Sequence, residues 1–316
     1  MIVLKDLSGG EIPKTNMFHI ALDELSQPSD SVALLYGYKH LFSDEVFDKI
    51  RDYKRKIYFQ VTMPTEFSTD QDIDLDNKFD EVYTICPYSI KWLNTIKETD
   101  RYRFIWYPFP SKDIPPIQHK LYDVCYHGGL HGPKYIDMLN VLSNFNYRYM
   151  SLTYCINPLT YKHLNYATDT DLTNDQKMNR IAQCKISVCF NHYPVTEEHK
   201  YYIKNKKEWI LNEAFIEIDK LDIVPQIKSR INEAAAARTL NLVQKDSWNI
   251  IEKFYNPDEH FIYFNNMDDL KSKIQTICNN WDSYAPVAER AYNRFVSNFT
   301  TEHLYQSIAT NKVRMS

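Results

Sequence analysis

An arginine and a glutamate three residues apart, Arg230 and Glu233, offer the clearest chemistry in this sequence. The four alanines at 234–237 that follow them favour a helix that can pack closely against a sheet. The first turn of a helix presents unpaired backbone N–H groups, so it favours an anion such as a diphosphate. Arg230 would then make a forked contact with phosphate, and Glu233 would accept hydrogen bonds from sugar hydroxyls. The alternative is a surface helix with an ordinary Arg–Glu pair.

A glycine-rich turn supplies a second group of residues suited to phosphate. The strand predicted at 122–126 runs into residues 127–134, which hold three of the six glycines of the chain, and a helix follows from about 134 to 144. Flexible backbone, converging N–H groups and a helix dipole are what phosphate binding needs, and His131 and Lys134 would add positive charge. An ordinary tight turn is the competing interpretation, because no complete GxGxxG or P-loop pattern is present.

The composition is that of a soluble globular protein, with 316 residues of which 44% are hydrophobic and 25% charged. The net charge of -4 gives no general electrostatic case for binding nucleic acid or an anionic membrane. No segment approaches the roughly 20 apolar residues that cross a bilayer, and the N-terminus lacks the apolar core of a secretion signal. These features predict a cytoplasmic location. The six cysteines contain no CxxC pair, so buried free thiols are expected.

Alternating strands and helices must position these residues. The chain alternates buried strands with helices before a proline-rich linker at 108–119, and the alternation starts again after it, with a strand at 240–243 and a helix at 248–254. This order predicts parallel sheets flanked by helices, in which ligands gather at the carboxyl ends of the strands. We therefore expect an α/β fold of two Rossmann-like domains, 1–115 and 116–316, facing across a cleft, with C-terminal helices packing back on the body.

The order of elements in the second half carries a family resemblance. After the glycine turn come a strand ending in polar residues that include Asn191, the Arg-x-x-Glu helix, a strand, the stretch Tyr-Asn-Pro-Asp-Glu-His at 255–260, a strand, and Asp-Asp-Leu at 268–270. Over roughly residues 121–300 this order resembles the nucleotide-sugar domain of the GT-B glycosyltransferases. It is similar to the spore-maturation-type glycosyltransferase-like proteins and, in its Arg-x-x-Glu spacing, to the bacteriophage DNA β-glucosyltransferases. Before residue 121 the resemblance is mainly the alternating pattern.

The resemblance implies roles for the residues already named. In the family the acid of the Arg-x-x-Glu motif holds the ribose of the donor nucleotide and the arginine meets its diphosphate, which would be the roles of Glu233 and Arg230. It makes 1–115 the acceptor-side domain and 116–316 the nucleotide-sugar-binding domain. The family often has a glycine after its alanine-rich turn, where this chain has Arg238. The remaining residues expected around the donor are Gly128, Gly129, His131, Lys134 and Asn191.

The expected catalytic base is the point at which the chain departs from the phage enzymes. There, a strand resembling residues 56–62 is followed at once by the catalytic aspartate. Here Met63 takes that place, and a thioether cannot act as a base. If the reaction inverts configuration, the base must be displaced, and we expect Glu66 in this role, with Asp70 and His19 behind it.

No bound metal and no separate cofactor are expected. GT-B enzymes usually work without a bound metal, and positive groups stabilise the departing diphosphate. Short Asp-x-Asp patterns occur at 70–72, 72–74, 74–76 and 169–171. We interpret them as solvated loops, because acid-rich loops fit so short a pattern by chance.

The sequence therefore predicts a glycosyltransferase that moves a hexose or pentose from a nucleotide-diphosphate sugar, with a UDP-sugar favoured, to a hydroxyl acceptor. A glycan is the expected acceptor. Modified DNA ranks below it because the chain is acidic, although the lysines within 204–207 would be the place for such a contact. A non-catalytic nucleotide- or glycan-binding protein, which Met63 favours, and a sugar-phosphate isomerase or epimerase are the alternatives. The donor base and sugar, the stereochemistry and the oligomeric state stay open.

Overall fold

The structure is a computed structural model of the chain. It describes residues 2–4, 32–37, 44–60, 78–84, 94, 100–130, 132–151, 166–194, 197, 223–225, 227–246 and 249–309. Several residues singled out in the sequence lie outside the described residues: His19, Met63, Glu66, Asp70, His131, the Asp-x-Asp patterns at 70–76 and the lysines at 204–207.

The first sheet has five parallel strands that neighbour one another in chain order. They are β1 (Ile2–Leu4), β2 (Val32–Gly37), β3 (Arg55–Gln60), β4 (Glu81–Thr84) and β5 (Tyr102–Phe104), and helix α1 (Asp44–Ile50) follows β2. Alternate residues of β2 enter different cores. Ala33 and Leu35 pack with α1, whereas Leu34 joins a larger cluster that includes residues of the second half. Burial on both faces explains why β2 reads as a continuous apolar run.

The second sheet has six parallel strands in the order β13-β12-β9-β6-β7-β8. They are β6 (Tyr122–His127), β7 (Tyr147–Ser151), β8 (Asp169–Thr170), β9 (Cys184–Cys189), β12 (Leu240–Gln244) and β13 (Phe261–Phe264). The short strands β10 (His192–Pro194) and β11 (Ile223–Pro225) form a separate antiparallel pair. The six-stranded order is that of doubly wound dinucleotide-binding sheets, so the expected α/β architecture is confirmed.

The order of the second sheet reverses between β6 and β9. From β6 the chain moves outward through β7 to β8, and it then returns to the opposite side of β6 with β9. Loops leave two such strands in opposite directions, which opens a crevice at their carboxyl ends where ligands bind. The glycine turn follows β6, and Asn191 follows β9. The topology therefore brings these two predicted elements to the same crevice.

Helices cover both faces of the second sheet. They are α2 (Pro133–Leu142), α3 (Asn174–Ala182), α4 (Arg230–Ala236), α5 (Met267–Asn279), α6 (Trp281–Asn298) and α7 (Thr301–Ala309). Leu139 of α2 and Ile274 of α5 belong to the core on one face, and Ile181 of α3 and Ala235 of α4 belong to the core on the other. The alanines of α4 are fully buried, because a methyl side chain lets this helix lie close to its neighbours.

The prediction of a helix at 248–254 is wrong. The structure has only a single 3₁₀ turn there, Ile250–Lys253. Asn249, just before it, adopts a left-handed conformation with φ 49°, which no α-helix residue can have. Ile250 and Ile251 are buried by this tight turn. The apolar residues of this segment therefore indicate that it is buried, and they do not indicate an α-helix.

The C-terminal helices pack back on the first half, as predicted. The backbone N–H of Thr301 donates to the carbonyl of Phe109 at 3.0 Å, and the guanidinium of Arg55 in β3 donates to the carbonyl of Ile308. The Ser111 hydroxyl donates to Glu302 at 2.7 Å. The start of the proline-rich linker is therefore a packed connection between the sheets. The domain limits at 115 and 116 stay a prediction. Within the described part of the chain, no helix is both long and apolar enough to cross a membrane.

Candidate functional site

Arg230 lies at the crevice, where its side chain is held by the aromatic end of β6. The residue is 7% exposed, and its Nη1 donates to the Tyr126 hydroxyl at 2.7 Å. The guanidinium also lies over the Tyr126 ring, 4.7 Å from its centroid. The Tyr126 hydroxyl in turn donates to the carbonyl of Gly129 at 2.7 Å. One tyrosine thus fixes both the arginine and the glycine turn.

Gly128 meets the same guanidinium. Its φ of +115° lies in a region that side chains with a Cβ rarely adopt, and the space in which a Cβ would stand is taken by Nη2 of Arg230. Gly132, with φ +125°, is the N-cap of helix α2, and no atom of the described part of the chain lies within 4 Å of the corresponding position. The predicted glycine turn and the predicted arginine are therefore in direct contact.

Glu233 is buried, at 4% exposure, between two basic groups. His127 Nδ1 lies 3.0 Å from one carboxylate oxygen and Lys177 Nζ lies 3.2 Å from the other. Burial alone would raise the pKa of Glu233, but the Lys177 ammonium and the His127 N–H outweigh it and hold that pKa below its usual range. Glu233 is therefore an ionised acceptor. Arg230 and Glu233 are both buried, so the alternative of a surface helix with an ordinary Arg–Glu pair is wrong.

His127 is neutral in this setting. Burial lowers its pKa by disfavouring the imidazolium, and this effect exceeds the opposing influence of Glu233. The proton of the neutral ring must lie on Nδ1, where it faces the carboxylate of Glu233. His127 Nε2 is then an acceptor, and the Ser187 hydroxyl lies 3.3 Å from it. The Nδ1–H group of His127, at the end of β6, thus fixes the orientation of the Glu233 carboxylate.

Three further basic side chains lie near Arg230 and the Glu233–His127 pair. Lys228 precedes α4, and its pKa falls to about 7 because burial removes water from the ammonium and Arg230 repels it. Lys134, at the start of α2, lies 6.0 Å from the centroid of Phe190, and burial lowers its pKa. His192 lies two residues after Phe190, and burial together with the charges of Lys134 and Lys228 lowers its pKa to about 3. Lys134 and Lys228 thus both act on His192, and two ammonium groups beside the Arg230 guanidinium suit a polyanionic ligand.

Asn191 offers a hydrogen-bond donor at the same place. The residue is 0% exposed, and its Oδ1 accepts from the backbone N–H of Lys228 at 3.2 Å. Its Nδ2 has no hydrogen-bond partner within the described residues. Buried amide groups are nearly always paired, so an unpaired one at a crevice points to a ligand atom.

The structure thus brings together five of the residues expected at the donor: Gly128, Lys134, Asn191, Arg230 and Glu233. Gly129 lies in the same turn and is tied to it through Tyr126. His131 and the candidate bases His19, Glu66 and Asp70 lie outside the described residues. The roles assigned to all of these residues stay predictions.

Sequence reasoning missed four members of the cluster: His127, Lys177, His192 and Lys228. His127 and His192 stand at strand ends beside residues that were chosen, so proximity to the crevice was an available signal. Lys177 comes from the middle of α3. Nothing in its local sequence indicates that its ammonium reaches Glu233.

Among the described residues, no group of three or more His, Cys, Asp or Glu side chains is arranged to hold a metal ion. The only Asp-x-Asp pattern that can be located is at 169–171. Asp169 belongs to the edge strand β8, and its carboxylate lies 3.1 Å from Nη2 of Arg180. Its interpretation as a solvated loop is wrong, because the aspartate is a nearly buried partner of an arginine.

Comparison with known protein families also indicates a glycosyltransferase. A family model described as glycosyl transferase-like matches residues 137–310, which is more than half of the chain. No curated protein sequence matches. The likenesses to spore-maturation-type proteins and to phage DNA β-glucosyltransferases are not confirmed by these results and stay predictions.

Several solved structures share the fold. Anabaena HepE in complex with UDP-glucose superposes with a TM-score of 0.65 at 11% identity, and the match covers 98% of each chain. Sucrose-phosphate synthase from Thermosynechococcus elongatus has a TM-score of 0.58 at 9% identity, over 97% of this chain and 80% of its own. S. aureus TarM has a TM-score of 0.56 at 11% identity, over 93% of this chain and 57% of its own.

At these low sequence identities the similarity to solved structures establishes the fold. The match to the family model establishes which family the chain belongs to. The predicted two-sheet GT-B architecture is confirmed. The chain belongs to the glycosyl transferase-like family and is a glycosyltransferase with the GT-B fold.

Proposed function

We propose that the chain transfers a sugar from a nucleoside-diphosphate sugar to a hydroxyl group and binds the donor at the carboxyl ends of β6 and β9. The observation that carries this proposal is the cluster of Arg230, Lys228 and Lys134 near Asn191, whose amide N–H₂ has no hydrogen-bond partner among the described residues. Burial lowers the pKa of Lys228, and the charge of Arg230 lowers it further, so an anion bound beside them would stabilise the ammonium. A diphosphate brings several negative oxygens to one place.

The same groups account for what the reaction needs. Cleavage of the bond between the sugar and the diphosphate leaves negative charge on the departing oxygen, and preformed positive groups stabilise that charge in the transition state. The hydrogen bond to Tyr126 orients Arg230 for this role. We therefore propose that these side chains do this work without a bound metal.

Glu233 is proposed to hold the ribose, as the family resemblance implies. Its carboxylate is ionised and can accept further hydrogen bonds, because two oxygens offer about four acceptor positions. Anabaena HepE was solved in complex with UDP and with UDP-glucose, which supports a uridine nucleotide as the first donor to test. The proton acceptor is proposed to be Glu66, with Asp70 and His19 as the alternatives. A glycan acceptor and a cytoplasmic location belong to the same proposal.

Titration calorimetry with UDP tests the donor site. Arg230→Ala removes the cation that Tyr126 orients, so we expect UDP affinity to fall by about tenfold or more, a typical effect of losing a charge-assisted hydrogen bond. Arg290→Ala is the matched control, since Arg290 is an exposed arginine of α6 that donates to the carbonyl of Glu259. Equal UDP affinity in both variants and in the unaltered chain would exclude this site.

Turnover is tested separately with UDP-sugars and a panel of glycans. Release of UDP that depends on an acceptor supports transfer. UDP-sugar binding without turnover on any acceptor would instead favour a donor-binding protein without catalysis, and conversion of the nucleotide sugar itself would favour an isomerase or epimerase.

A further inference from the structure

Two buried side chains at the crevice carry polar atoms that the proposed diphosphate and ribose contacts leave unused. Gln244 is 6% exposed, and its Oε1 has no hydrogen-bond partner within the described residues. His192 is 3% exposed, and its Nδ1 likewise has none in the described part of the chain. Because buried polar atoms are nearly always paired, two such atoms at one edge of a sheet are candidates for contacts with a common ligand.

The strand register places both side chains at the same edge. Gln244 is the last residue of β12, and the pairing of Val243 with Cys189 sets Gln244 level with Phe190, the residue that follows β9. The ring of His192 packs edge-on against that of Phe190, with 5.6 Å between centroids. Gln244 and His192 are therefore carried by adjacent chain segments at the carboxyl ends of β12 and β9.

Their chemistry suits hydroxyl groups better than phosphate. The lowered pKa of His192 leaves the imidazole neutral, so its ring presents one N–H donor and one acceptor nitrogen. The carboxamide of Gln244 also presents a donor and an acceptor, and its unpaired oxygen would repel an anion. A sugar hydroxyl both donates and accepts, which matches these two groups.

The position of His192 beside two lysines indicates which part of the donor it would contact. Lys134 and Lys228 both lie close enough to His192 to lower its pKa, so a group held by His192 stands next to the proposed diphosphate. In a nucleoside-diphosphate sugar, the group joined to the diphosphate on the side away from the nucleoside is the sugar that is transferred.

We propose that Gln244 and His192 form the subsite for the hydroxyl groups of the donor's sugar and so decide which sugar is accepted. This inference rests on the proposed function. It concerns neither the nucleotide nor the acceptor.

The test compares the affinities of UDP-glucose, UDP-galactose and UDP-N-acetylglucosamine with that of UDP by titration calorimetry. Gln244→Met keeps the length of the side chain and removes its hydrogen-bonding groups. We expect UDP affinity to stay within about twofold, while the affinity of the preferred UDP-sugar relative to UDP falls by about five- to tenfold, the effect of one lost hydrogen bond. Gln275→Met, at an exposed position of α5, is the matched control and should leave the ratio unchanged.

His192 provides a second variant should Gln244→Met fail to fold. His192→Phe preserves a ring against Phe190 but removes the nitrogen atoms, and the same fall in the sugar-to-UDP ratio is expected. A ratio unchanged in both variants, or an equal loss for UDP and every UDP-sugar, would overturn the subsite. If the unaltered chain binds neither UDP nor any UDP-sugar, the proposed function fails and this inference fails with it.

Discussion

A methyl group on Gly128 would lie 2.6 Å from Nη2 of Arg230, closer than packed atoms approach. Gly128 is required at this position for two reasons, because its φ of +115° also disfavours any residue with a side chain. The first reason concerns the position of the guanidinium and the second concerns the backbone. Gly132 shares only the second, since its φ is +125° and no atom of the described residues lies within 4 Å of the added carbon.

The pair of variants Gly128→Ala and Gly132→Ala separates these effects. Both should lower the free energy of unfolding by about 1–3 kcal/mol through backbone strain, measured by urea denaturation. Only Gly128→Ala should also displace Arg230, so its UDP affinity should fall by about tenfold, against less than about threefold for Gly132→Ala. Equal losses of affinity would show that the contact with Arg230 does not matter for binding.

The orientation of Glu233 by His127 gives a second prediction. His127→Asn places an amide N–H close to the position of Nδ1 and should keep the contact with Glu233, which spans 3.0 Å in the structure. His127→Gln carries its amide further, towards the Ser187 side. If Glu233 holds the ribose, the preference for UDP over 2′-deoxy-UDP should survive in the Asn variant and fall by about threefold or more in the Gln variant. Both variants lose the same ring, so a difference in this preference cannot come from stability alone.

Arg238 occupies a position that favours glycine, with φ +50°. Its guanidinium stacks on Tyr292, 3.3 Å from the ring centroid, and its Nε lies 3.1 Å from Glu289. Arg238→Gly relieves about 1–2 kcal/mol of left-handed strain but loses both contacts, so its unfolding free energy should stay within about 1 kcal/mol of the original. Arg238→Ala loses the contacts and keeps the strain. It should therefore be the less stable variant in urea denaturation, and the reverse order would contradict this account.

The sequence predicted the parts of the site that lie next to one another in the chain. The glycine turn and the Arg230–Glu233 helix could be found because each adjoins a clear strand, and parallel strands bring their carboxyl ends to one edge. The partners of Glu233 could not be found in this way. The contact with Lys177 joins two separate helices, and neither local periodicity nor spacing encodes it.

The burial of the α4 side chains could not be predicted from the sequence either. A polar pair three residues apart fits an exposed helix and a buried one equally well, and only the packing of α4 shows that Arg230, Asn232 and Glu233 are all buried. Asn232 illustrates the difference, because its amide donates to the Tyr107 carbonyl at 2.9 Å and accepts from the Tyr255 hydroxyl at 2.8 Å. Both bonds depend on chain segments far from α4 in sequence.

The lowered pKa of Lys228, about 7, predicts a pH dependence of donor binding. Below this pH the free protein already carries the ammonium. Above it, the amine must take up a proton when the diphosphate binds, because the anion favours the charged form. UDP affinity should therefore fall as pH rises from 7.5 to 9.5, by at most about tenfold per pH unit for one proton.

Lys228→Arg isolates this contribution, because a guanidinium stays charged throughout the range. The neutral His192, with its pKa lowered to about 3, does not titrate there, whereas Lys134, whose pKa is also lowered, adds a smaller effect of the same sign. Calorimetry in buffers with different ionisation enthalpies should show proton uptake by the unaltered chain near pH 8.5 and a smaller uptake by the Arg variant. If the two proteins show parallel pH profiles and equal proton uptake, Lys228 does not face the diphosphate, and the anion must then be held by Arg230 and Lys134 without it.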